Sequence, residues 1–278
     1  MRRFIIILIL VVSIFTTGLL VSDKGFNTAK IQGYKALKVF VQFKDNQIVT
    51  SDFLEYETEH FIIKYREEDE NIIRDTSIMF EKSYLAAEKE FGYEPKNKTT
   101  VIIYKDQEEL WSYQKSVQGQ AVMGVYNMGT IHILSPNAYQ NQGQNRLKYF
   151  ESNGPVLHEY THRIIDDLTG GNVELWFTEG MALYEEDNIY GTKWADGFLY
   201  ERYFDSEEMR EGFMYVDEVQ SYRQSFDMVK YLIDNYGLDS VKLLLHELNN
   251  GESLDAAFLK VYGVTADEFI DSKVYATN

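Results

Sequence analysis

Runs that read as β-strand are confined to the first half of this chain, and after residue 155 there is almost none. "EHFIIKY" (59–65) and "KTTVIIYK" (98–105) have the β-branched, apolar make-up of strands. Between them "NIIRDTSIMFEKSYLAAEKEFG" (71–92) reads as a long amphipathic helix stopped by Gly92. A short helix around Gln107 to Gln118 is followed by "GVYNMGTIHIL" (124–134), two extended pieces flanking turn residues at Asn127 to Gly129. The remainder is a series of helices, "VQSYRQSFDMVKYLIDNYG", "LDSVKLLLHELNNG", "SLDAAFLKVYG" and "TADEFIDSKVY", three of them closed by glycine. Strands first and helices after predict an α+β domain whose two lobes divide near residue 150.

Several classes of function are excluded by composition. The net charge of −17 and pI of about 4.7 repel a polyanion, so no nucleic-acid partner is expected. Cysteine is absent, which leaves histidine and carboxylate as the metal-binding side chains. Arg2 and Arg3 precede an uncharged apolar run from Phe4 to Val21, about 27 Å long as a helix. Residues 1–22 are therefore expected to be a signal anchor, or a signal peptide if cleaved, although nothing there resembles an Ala-x-Ala cleavage site. The arginines stay on the cytoplasmic side, which puts the rest of the chain outside: single-pass in the cell membrane, or secreted if cleaved. Residues 23–50 carry five lysines and little acid, and read as a juxtamembrane linker. Tyr34, Leu37, Phe40 and Val41 fall at helical spacing there, suiting either a helix on the membrane surface or a segment packed back on the domain spanning 51–278.

The chemistry concentrates in "GPVLHEYTHRIIDDLTGG" (154–171). Pro155 suits a first helical turn and Gly170-Gly171 an end. Residues four apart on a helix differ by about 40° in direction, so His158 and His162 share a face and can reach one ion. Glu159 points about 100° away, where it can touch a metal-bound water without ligating the metal. A chance His-Glu-x-x-His is expected on the order of once per hundred such chains, and the competing reading is a pair of solvated helix histidines.

A catalytic zinc takes three protein ligands and keeps one position open. Downstream, "VELWFTEGMALYEED" (173–187) is a second helix with Glu179 amid apolar neighbours, where a carboxylate is costly unless paired or metal-bound. Sixteen residues separate it from His162. Glu185, Glu186 and Asp187 are the competing acids and are expected at the exposed end.

"HEYTH" followed by "WFTEGMALY" resembles the gluzincin metallopeptidases, and most closely the peptidase-MA-like domains related to thermolysin and the zinc aminopeptidases. The resemblance runs from "ETEHFIIKY" to the C-terminal helices. It implies a thermolysin-like zincin, with a small mixed-sheet lobe followed by a helical lobe, holding one Zn2+ on His158, His162 and Glu179 with Glu159 as general base. Peptide or protein is the implied substrate. Where thermolysin-like enzymes place an Asp four residues after the ligand glutamate, this chain has Leu183, and Asp166, one turn beyond His162, is the candidate replacement. Resemblance of "SYRQSFDMVKYL" to the family's next helix makes Tyr222 the candidate oxyanion donor, against the alternative of a core or surface tyrosine. The family's substrate-aligning edge strand corresponds to "GVYNMGTIHIL", so Gly129 to His132 are expected along the cleft, while His132, His60 and His246 are not expected as ligands.

The expected activity is that of a membrane-anchored, extracytoplasmic zinc metallopeptidase. Endopeptidase is favoured over aminopeptidase because "AVMGVYN" (121–127) lacks the glutamate of the Gly-Ala-Met-Glu-Asn signature. Two alternatives stand beside it: a non-catalytic binding or assembly module retaining the gluzincin fold, and a zinc hydrolase acting on a non-peptide amide.

Overall fold

A computed structural model describes residues 23–139 and 146–276. The expected anchor at 1–22 lies outside the described residues. Residues 23–50 form a 22-residue helix, α1 (Asp23–Lys44), that runs into a π-helical turn (Asp45–Val49). Among the described residues no helix is long and apolar enough to cross a membrane.

Five strands follow: β1 (Leu54–Glu57), β2 (Phe61–Tyr65), β3 (Thr99–Tyr104), β4 (Gly124–Asn127) and β5 (Thr130–Leu134). They form one mixed sheet in the order β1-β2-β3-β5-β4, parallel at its centre and antiparallel at both edges. The helices are α2 (Ile73–Phe91), α3 (Gln107–Tyr113), α4 (Arg146–Asn153), α5 (Val156–Thr169), α6 (Leu175–Tyr190), α7 (Ser206–Arg210), α8 (Glu218–Tyr236), α9 (Leu238–Asn249), α10 (Leu254–Tyr262) and α11 (Ala266–Ala276).

Every residue of β3 is buried, because helices and loops cover both faces of the sheet and its side chains alternate between them. One face presents Phe61, Ile63, Val101 and Ile131, held in register across β2, β3 and β5. The Phe61 ring there meets Phe80 of α2 at 5.2 Å and Tyr160 of α5 at 5.5 Å. On the other face Ile102 and Tyr104 pack with Phe53 and Leu110.

The chain divides into two compact units. One comprises residues 38–164 and 188–192 and holds the sheet with α2, α3, α4 and the first nine residues of α5. The other holds the described residues up to Leu37, then 165–187 and 193 onward, and is helical, with Trp176, Phe177, Phe226, Leu244 and Phe258 in its core. The division expected near residue 150 falls instead at 164/165, inside α5, because that helix donates Tyr160 to the sheet while Ile165 lies in the helical core. The architecture is a mixed sheet joined to a helical body; nothing in it singles out the thermolysin subtype.

Candidate metal centre

Helix α5 begins right after Pro155 and carries His158, Glu159 and His162. The apolar contacts that hold it are Val156, Leu157, Tyr160, Ile164 and Ile165, each at most 2% exposed. They fix the rotation of the helix, and with it the face on which the histidines lie. The two imidazoles stand edge to face, 4.8 Å between ring centres. Glu179 lies in α6 between Phe177 and Met181, both fully buried, and is itself only 6% exposed.

One ligand atom from each of His158, His162 and Glu179 lies within 4.8 Å of the other two. Around a tetrahedral zinc with bonds near 2.0–2.2 Å, ligand atoms stand about 3.3–3.6 Å apart. Small side-chain rotations close that difference, and two nitrogens with one carboxylate oxygen suit zinc or another borderline divalent ion. The residues present fit a metal ion.

Glu159 is nearly buried and faces the start of the edge strand β4. A Cβ added at Gly124 would lie 2.8 Å from both Cγ and Oε1 of Glu159 and 2.7 Å from Cβ of Pro155. The bare backbone of Gly124 therefore leaves the volume that the Glu159 carboxylate occupies.

Tyr222 is placed in the second turn of α8, in an aromatic group with Trp194 (6.2 Å) and Phe213 (5.7 Å). Helix α8 passes very close to α6: the Cβ position of Gly180 is 2.4 Å from the carbonyl oxygen of Ser225. Asp166 is buried on α5, and Leu183 is an apolar core residue of α6.

Two expectations need correction. Glu185 is not exposed but 1% accessible, and Glu186 and Asp187 are half-buried, because α6 is covered on nearly every side. Gly129 to His132 do not form a sheet edge: β5 is an internal strand, flanked by β3 and β4, and the edge on that side is Gly124–Asn127.

His132 is fully buried, with Nδ1 2.9 Å from the Tyr104 hydroxyl and the Gln114 amide nitrogen 3.1 Å from Nε2. Burial holds its pKa down to about 3, so the ring is neutral; Asp45 Oδ2 stands 3.9 Å away, too far for a hydrogen bond. The sequence predicts a strand histidine with a hydrogen-bond partner but does not name the partner, since only the pairing of β3 with β5 brings Tyr104 beside His132. His60 pairs with Glu81 at 2.6 Å and stacks on Tyr84, and His246 is a surface residue of α9.

No curated protein matches the chain. The sequence model of the peptidase MA superfamily matches residues 82–273, more than two thirds of the chain and the whole stretch that carries the two histidines and Glu179. The protein belongs to the peptidase MA superfamily, a metallopeptidase-like domain with a His-His-Glu group in place to receive a metal.

Proposed function

We propose that this protein is a zinc-dependent metallopeptidase, held outside the membrane by residues 1–22 or secreted if they are cleaved. The observation that carries the reading is the convergence of His158, His162 and Glu179 beside Glu159. When bound, zinc supplies Lewis acidity, lowering the pKa of a water to about 7 and polarising the scissile carbonyl. Glu159 takes the proton of the attacking water and delivers it to the leaving nitrogen. Its near-complete burial and its place one residue after His158 on the same helix support this role. Tyr222 is assigned as the donor to the oxyanion, supported by its position one turn before the point where α8 meets α6 beside Glu179. An extended substrate pairs with β4, the edge strand whose start lies against Glu159.

Metal analysis of the full-length protein, together with Glu159→Gln in a peptide-cleavage screen, tests the assignment. One zinc per chain, with cleavage in the wild type and a loss of at least about 100-fold in Glu159→Gln, is the expected outcome. Absence of zinc after gentle purification refutes it. Zinc without cleavage of any peptide transfers the reading to a binding module.

A further inference from the structure

Gly180 follows Glu179 in the middle of α6, although glycine is the poorest helix former after proline. The reason lies on α8. A Cβ at Gly180 would be 2.4 Å from the carbonyl oxygen of Ser225, 2.8 Å from its carbonyl carbon and 2.6 Å from Cγ2 of Val229. The nearest of these atoms is backbone, which cannot rotate away as a side-chain tip can. The α8 side is equally bare: Ser225 turns its hydroxyl back to the Ser221 carbonyl at 2.8 Å, and Ser221 turns its own to the Glu218 carbonyl at 3.1 Å. Phe226 and Val229, both at most 2% exposed, close the packing beside the crossing.

We infer that Gly180 is a positioning residue for the metal site, its contact with the Ser225 carbonyl setting where α6 presents the Glu179 carboxylate. This rests on the reading of Glu179 as a metal ligand. Ordinary contact distances are about 3.5 Å, so a methyl group at Gly180 forces the two helices apart by roughly an ångström. Metal–ligand distances tolerate about 0.2 Å, several times less than that displacement. Removing support from a ligand typically weakens metal binding about 10- to 100-fold.

The test is the zinc dissociation constant of the full-length chain, measured by competition with a chromogenic chelator well below the melting temperature. Wild type is compared with Gly180→Ala and with Ala182→Gly, a fully buried position on the same helix that also loses stability when changed but adds no bulk. Gly180→Ala is expected to bind zinc about 10- to 100-fold more weakly, and Ala182→Gly to melt earlier with its zinc affinity within about twofold of wild type. Should Gly180→Ala not fold, Val229→Ile, a milder wedge at the same contact, takes its place and must weaken zinc in the same direction. Unchanged zinc affinity in the wedge variant that folds overturns the inference and leaves the metallopeptidase reading intact. A wild-type chain that binds no zinc overturns both.

Discussion

Replacing Arg210 by methionine tests the electrostatic account of how the helical unit is held. The guanidinium at the end of α7 forks onto Glu174, with Nη2 to Oε1 at 2.6 Å and Nε to Oε2 at 2.9 Å. Its Nη1 reaches Asp255 of α10 at 2.9 Å and Asp267 of α11 at 2.5 Å. Glu174 also accepts from the Trp176 indole at 3.1 Å, so the cluster fixes the start of the helix that presents Glu179. The Arg210 side chain is 19% exposed and its partners 31%, 35% and 53%, so none of the three pairs has the full strength of a buried one. Counting about 1.5–2 kcal/mol for the fork and a few tenths to 1 kcal/mol for each exposed pair gives roughly 2–4 kcal/mol lost in Arg210→Met. Methionine preserves most of the apolar stem, so little of this is packing. At about 2–4 °C per kcal/mol in a chain of this size, the melting temperature falls by roughly 5–15 °C in low salt. At about 1 M salt, with the Debye length near 3 Å, the deficit shrinks. An unchanged melting temperature in low salt, or a deficit independent of salt, refutes the reasoning.

Two further predictions concern the sheet unit. Gly124→Ala pushes against the Glu159 carboxylate and Pro155 and is expected to lower hydrolysis by about 10- to 100-fold while zinc affinity stays at the wild-type value; equal activity in the variant would remove Gly124 from the account. For His132, the folded-state pKa of about 3 lies below the ordinary 6.5 of the unfolded chain. The unfolded chain therefore binds the extra proton first, and stability falls as the pH drops from about 6.5 towards 3, by up to about 1.4 kcal/mol per pH unit. His132→Gln is expected to lose that part of the acid sensitivity in urea titrations between pH 6 and 4, and parallel curves for the two proteins would show that another group carries it.

The parts of this fold that were legible in the sequence are those whose signal is local. β2 and β3 are rich in β-branched residues, α2 is amphipathic and ends at Gly92, and the i, i+4 spacing of His158 and His162 needs no tertiary information. Glu179 could be picked out because apolar neighbours make a lone carboxylate conspicuous. β1 was not legible: "LEYE" alternates apolar and charged residues, but over only four positions, and it is largely exposed on an edge strand. Helix α4 was missed for a similar reason, since Phe150 is its one fully buried side chain. The burial of Glu185 depends on how α6 is covered, and nothing in the acidic run Glu185 to Asp187 marks which of the three is the buried one. The close approach of Gly180 to Ser225 joins positions forty-five residues apart, and a single glycine inside a helix does not name its partner.

Helix α1 has a practical consequence for any truncated version of the protein. Its first part lies in the helical unit, where Ile31 and Lys35 cover Gly170, Tyr34 covers Gly171, and Lys24 pairs with Glu252 at 2.7 Å. Its last turns lie in the sheet unit, where Gln42 and Lys38 back the hairpin at Gly129. A cut at residue 50, which the lysine-rich composition of 23–50 invites, would strip side chains from both units and uncover the turn that closes the histidine helix. A soluble form for purification should begin at or before Asp23, with the tag placed ahead of it.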